Sequence, residues 1–121
     1  MVDDQTGSPT WARALAEATA EMLRRRERIL GDGSVYHLAA SGHTSRFELA
    51  KAIISITSEL AGSPDGWARV KPTNSEHYPQ PARRPRAPVL NCSKAKQVIG
   101  IGMPRWDEQL RAFLKDDYRR T

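Results

Sequence analysis

Val35-Tyr36-His37-Leu38-Ala39, then Ser41-Gly42-His43, then Ser45-Arg46-Phe47-Glu48 is the stretch on which the fold of this chain turns. The first five residues begin β-branched and aromatic, and they predict a short strand. Gly42 between two polar residues predicts a turn. Ser45 with Glu48 three residues on matches a capping box, which satisfies the free N–H groups at a helix start. The helix that follows carries Phe47, Ala50, Ile53, Ile54, Ile56 and Leu60. That stripe is broad and predicts a well-buried helix rather than a surface one. Gly62-Ser63-Pro64-Asp65-Gly66 ends it. A strand passing through a turn into a helix is the unit of an α/β layer, in which such loops line ligand clefts. The fold class is read as α/β.

Upstream, Asp3 to Gly7 is polar, and Thr10 is placed to cap a helix bearing Trp11, Leu15, Ala18, Met22 and Leu23 on one face. Gly31-Asp32-Gly33 is expected to stop it. Downstream, Pro72, Pro79, Pro81, Pro85 and Pro88 exclude a helix and disfavour a central strand between them. A long proline-rich loop remains, of the kind that is commonly functional or disordered. Val89-Leu90-Asn91 is a candidate strand, and Ser93 is placed to cap a short helix through Val98. Pro104 precedes a last helix with Trp106, Leu110, Phe113 and Leu114 on its face. The expected architecture is about four helices, a few short strands and the proline-rich loop.

A length of 121 residues and 13.5 kDa bounds the chain to one domain. Hydrophobic residues make up 39% and charged residues 27%, so the core should be modest. No run approaches the ~18 to 20 apolar residues a membrane helix needs. The acidic, polar start is unlike a secretory signal. Cys92 stands alone and can form no internal disulfide. A cytoplasmic location without a membrane partner is expected. The formal charge of +5 concentrates in Arg24 to Arg28, in Arg83-Arg84-Pro85-Arg86 and in Arg119-Arg120. The first run reads as a solvated helix end whose cations complement the terminal carbonyls, and the last pair as a frayed tail. Basic charge by itself is non-specific, and no nucleic-acid partner is expected.

No Gly-x-Gly-x-x-Gly follows a strand, so no dinucleotide cradle is visible. Gly31-x-Gly33 and Gly100-x-Gly102 each follow a helix and read as helix stops. Tyr36, Tyr78 and Tyr118 lack a lysine four residues on, and His37, His43 and His77 lack the spacing of a zinc site. No Gly-x-Ser-x-Gly marks a serine nucleophile. Two binding-type segments stand out. Asp4-Gln5-x-Gly7-x-Pro9-Thr10 sets an acid, an amide and a hydroxyl around a glycine. It suits a hydroxyl-rich or phosphorylated ligand, or equally a capped helix after a tight turn. Pro81-Ala82-Arg83-Arg84-Pro85 holds two guanidinium forks on a stiffened backbone, fit for a diphosphate or for a solvated loop.

Five stretches, taken in order, carry a resemblance: Val2 to Ala12, Tyr36 to Ser45, Glu76 to Pro85, Val89 to Lys94, and Pro104-x-Trp106 with Leu110. They resemble the C-terminal part of the dTDP-4-dehydrorhamnose reductases, within the extended short-chain dehydrogenase/reductase superfamily. The resemblance spans nearly the whole chain, residues 1–121, as one substrate-binding portion without the Rossmann half. It implies reduction of dTDP-6-deoxy-L-lyxo-4-hexulose to dTDP-L-rhamnose with NADPH or NADH by the full-length enzyme, in the making of cell-surface polysaccharide. It further implies a dTDP-sugar held by Asp4, Gln5, Pro9, Thr10, Arg83 and Arg84, with one of the arginines on the diphosphate. The cofactor fingerprint and Tyr-x-x-x-Lys are absent here, so this chain alone is expected to be inactive, with no catalytic residue of its own. The expected partners are the Rossmann half or a homodimer mate, and Mg2+ serves some relatives. A non-catalytic nucleotide-sugar-binding module derived from the enzyme is the alternative. Against the family pattern, Arg46 stands where many relatives have tryptophan, Arg86-Ala87-Pro88 where Asn-Ser is common, and Glu76-His77 where an acid directly precedes the tyrosine.

Overall fold

The computed structural model describes residues 1–28, 33–79, 81–82 and 85–119. Gly31, Asp32, Arg83, Arg84 and Arg120, which carry expectations from the sequence, lie outside these described residues. The elements are β1 (Thr6–Gly7), α1 (Ala12–Arg24), β2 (Thr44–Ser45), α2 (Arg46–Ala61) and α3 (Trp106–Tyr118). Short 3-10 turns at Arg26–Arg28 and Ser75–His77 and a π-helical segment at Ala95–Ile99 complete the set. The four helical regions stand where the sequence puts them.

The N-terminal segment is a rail on which three distant parts of the chain are hung. β1 pairs antiparallel with β2, Thr6 opposite Ser45 and Gly7 opposite Thr44. Beyond the ladder, Phe47 N–H donates to Val2 carbonyl at 3.0 Å. On the other edge Asp3 N–H donates to Thr73 carbonyl, Thr73 N–H to Met1 carbonyl, and Thr6 N–H to Arg86 carbonyl. The proline-rich loop is thus tied to the rail near both of its ends, at Thr73 and at Arg86.

The strand expected at Val35–Ala39 does not form, and neither does one at Val89–Asn91. A strand exists only as part of a ladder. Along Val35–Ala39 no ladder partner lies among the described residues, and Val35 is 73% exposed. The strand that feeds α2 is instead Thr44–Ser45, whose side chains are buried.

Ser45 caps α2 as expected: its Oγ accepts from Glu48 N–H at 3.1 Å while donating to Asp3 Oδ1. Glu48 turns its carboxylate to Lys51. At the far end Gly62 takes a left-handed φ of 63°, a conformation that costs glycine nothing. Thr10 does not cap α1. Trp11 is the N-cap residue, with no side-chain cap. The Thr10 hydroxyl is already engaged, donating to Ser8 carbonyl and accepting from Ala40 N–H, both at 3.0 Å. Asn91 rather than Ser93 opens the short helical region, its Oδ1 accepting from Ser93 N–H.

The core is small, as the composition implies: Ala40, Ile56, Ala95, Ile99 and Ile101 among the described residues. The expectation of a well-buried α2 fails. Only Ile56 of that helix is buried, and Ile53 is 38% exposed. One side of its wide stripe packs on α3, and Phe47, Ala50, Ile54 and Leu60 stay half-buried. α1 buries no residue, and Leu23 is 61% exposed. Its first turn is held by Trp11, edge-on to Phe113 at 6.1 Å between ring centres. Its C-terminal arginines do more than solvate a helix end. Arg25 donates through Nε to Glu21 Oε1 at 2.7 Å and through Nη1 to Ile99 carbonyl at 3.1 Å and Gly100 carbonyl at 3.3 Å. It thus supplies the last carbonyls of the π-helical segment with a donor.

Candidate functional site

Two open clefts, each of about 420 Å³, meet at Ser8. The first lies between the β1 segment Gln5 to Pro9, the turn of chain Thr44-Ser45-Arg46 with Leu49, and the loop residues Pro85 and Pro88. The second runs between Ala39 to His43 and Val89 to Ser93, with Lys96, Gly102 and Met103. Ser8 belongs to both, its hydroxyl donating to Gly42 carbonyl at 2.7 Å. Gly42 permits this approach because it holds a φ of 74° and lies against the Trp106 ring, where a Cβ would stand 3.4 Å from Cδ1.

The first cleft is built by the rail itself. Thr6 and Gly7 are fixed by the β2 ladder, and Thr6 N–H holds Arg86 carbonyl at 2.8 Å. That bond brings the proline-rich loop to face Gln5 and Pro9. The lining mixes amide and hydroxyl groups with flat proline rings, and Arg46 is its one charged residue among the described ones.

Gln5 and Pro9 thus lie on this cleft. Asp4 is turned the other way. Its Oδ1 accepts from Ser75 N–H at 2.9 Å and its Oδ2 from Ser75 Oγ at 2.7 Å, which opens the 3-10 turn Ser75–His77. The Ser75 hydroxyl is the main reason its carboxyl is held below the ordinary carboxylate range. Thr10 sits behind Pro9, on an apolar hollow of about 270 Å³ with Trp11, Ile53, Trp106, Leu110 and Phe113. Arg83 and Arg84 lie outside the described residues, while the adjoining Pro85 lines the first cleft. Ser8 and Arg46 were missed as site residues. Ser8 occupies an unspecified place inside the Asp-Gln-x-Gly-x-Pro-Thr segment, and Arg46 reads from sequence as a departure from the family pattern without a role of its own.

Among the described residues no three His, Cys, Asp or Glu side chains converge as a metal site would need. No described helix is long and apolar enough to cross a membrane.

The model of the RmlD substrate binding domain family matches residues 1–119. The chain belongs to that family. The dTDP-4-dehydrorhamnose reductase of Burkholderia thailandensis is 40% identical over 121 residues, covering 96% of this chain and 41% of the relative. The enzyme of the same name from Escherichia coli K12 is 31% identical, covering 100% of this chain and 40% of the relative. Among solved structures, a dTDP-4-dehydrorhamnose reductase of Bacillus anthracis in complex with NADP superposes with a TM-score of 0.75 at 26% identity. That match covers 95% of this chain and 37% of that one. A Clostridium acetobutylicum protein at 24% identity shares the fold, also with a TM-score of 0.75. The chain therefore spans about two fifths of the length of its curated relatives, matching their C-terminal portion. The α/β substrate-binding fold expected from the five stretches is the fold found.

Proposed function

We propose that this chain is the nucleotide-sugar-holding part of a dTDP-4-dehydrorhamnose reductase, and that the cleft between Gln5–Pro9 and Pro85–Pro88 receives the dTDP-sugar. The observation that carries this reading is convergence. Two segments some 80 residues apart, each matched to the family, are drawn by the Thr6–Arg86 bond onto one cleft. Gln5 offers an amide to sugar hydroxyls, and Pro9 a rigid apolar wall. Asp4 serves as the anchor that holds the loop at Ser75, and Thr10 as the tie between the rail and Ala40. The family resemblance makes Arg83 and Arg84 the donors to the diphosphate in this reading.

The nicotinamide is assigned elsewhere than in this chain. Gly100-x-Gly102 follows a helix, and the Arg25 guanidinium stands 3.2 Å from where a Cβ on Gly100 would be. A pyrophosphate cradle needs open glycine backbone at that place. No hydride step is derived from these residues, and reduction of the 4-keto sugar belongs to the complete enzyme with NADPH or NADH. The bound sugar nucleotide would be presented by this chain in a fixed pose, which is how a binding half contributes to rate.

Calorimetric titration of the purified chain with dTDP-L-rhamnose tests the reading. Saturable binding is expected, weakened at least several-fold in Gln5→Ala. No heat and no saturation at millimolar ligand would overturn it.

A further inference from the structure

We infer that Arg46 is a ligand-reading residue of the first cleft, contacting the diphosphate of the bound nucleotide from the wall opposite Pro85 and Pro88. The inference rests on the nucleotide-sugar reading above and adds a residue and a charge to it.

The placement of Arg46 is unfavourable for the helix it belongs to. It is the first residue of α2, where the exposed N–H groups carry partial positive charge and a cation is repelled. Five of the other ten described arginines relieve their charge against a carboxylate. Arg13 pairs with Glu17, Arg24 and Arg25 with Glu21, Arg105 with Asp107, and Arg111 with Glu59. Glu48, the acid in the same turn, is taken by Lys51. Arg46 has neither a carboxylate nor an aromatic face against it among the described residues. Asp3 on the rail accepts from Ser45 Oγ and forms no ion pair with Arg46. A locally disfavoured, uncompensated cation lining a cleft is the pattern expected where a site needs the charge.

The backbone beneath Arg46 is fixed by the Ser45 cap and the β1–β2 ladder, so its guanidinium starts from a rigid base. Among the described residues the cleft lining offers it no competing anion. A ligand with a delocalised, two-oxygen anion fits the guanidinium fork, and the diphosphate is the part of a nucleotide sugar that presents one. A guanidinium at this place adds an electrostatic contact to the ligand. Ligand binding should accordingly depend on salt.

The test measures dTDP affinity of the whole chain by calorimetry at several salt concentrations, for the unmodified protein, Arg46→Gln and Arg46→Lys. Circular dichroism confirms that each variant is folded. Arg46→Gln should lose about tenfold in dTDP affinity and show a flatter salt dependence, and Arg46→Lys should recover part of both. If the unmodified chain binds dTDP and Arg46→Gln binds it equally well, or weakens with the same salt dependence, the role of Arg46 is overturned while the cleft assignment stands. If the unmodified chain does not bind dTDP at all, both are overturned.

Discussion

Gln109 shows how much of this molecule depends on single polar side chains. It is 4% exposed on α3, accepting from Trp11 N–H at 3.0 Å and donating to Pro104 carbonyl at 2.8 Å. One amide thereby joins the start of α1 to the start of α3. Gln109→Leu keeps the volume but orphans the Trp11 donor, and it should cost about 1–3 kcal/mol in a urea titration. Asp4 makes a second such tie, with a pH signature. Its carboxyl is held low chiefly by the Ser75 hydroxyl. A depressed folded pKa means stability that is present above the unfolded value and lost as pH falls through the folded one. The urea midpoint should drop as pH falls below about 4, and Asp4→Asn should flatten that drop. Neither role is legible in sequence. Gln109 and Trp11 lie far apart in the chain, and Asp4 reads equally as a ligand contact until Ser75 is seen on it. Ser45 was legible, because its partner Glu48 is three residues away.

At the scale of elements, local chemistry decided helices and distant pairing decided strands. The cap at Ser45 and the glycine at 62 need only their own neighbourhood, and both ends of α2 stand where the sequence puts them. The Val35–Ala39 segment has the residues of a strand, yet β propensity is a fit to a neighbour rather than a property of the segment. Thr44–Ser45, too short to notice, becomes a strand because Thr6 and Gly7 lie beside it. The same logic hid half of the site: Gln5 and Pro9 are marked by their motif, but Arg46 enters the cleft only through the β1–β2 register. Ser45→Ala removes the cap on Glu48 N–H and the partner of Asp3 together. A loss of about 1–2 kcal/mol in denaturant stability is expected, more than a helix cap alone at a free surface gives. Loss no larger than about 0.3 kcal/mol would show that the rail does not lean on this serine.

For the whole molecule, the balance lies between a small core and a large uncovered apolar surface. Five apolar side chains are buried among the described residues. Meanwhile Trp11, Ile53, Trp106, Leu110 and Phe113 line an open hollow of about 270 Å³, and Leu15 and Leu23 of α1 face outward. Contiguous apolar surface of this kind seeks a partner. The match covers only about two fifths of the relatives' length, and about three fifths of each relative lies outside it. The composition already implied a modest core, but which helix faces stay open could not be read from α1 and α2, whose stripes look like ordinary core. Two consequences can be measured on the chain as it is. Sedimentation should show association that grows with concentration, and calorimetry on a dilute sample should show a broad, weakly cooperative transition. Ile53→Lys places a charge on the hollow at a site already 38% exposed, so it should reduce association by several-fold while leaving the helical signal intact. A dilute monomer with a sharp transition, unaffected by Ile53→Lys, would mean that the hollow is tolerated as free surface and that the core holds this fold without help.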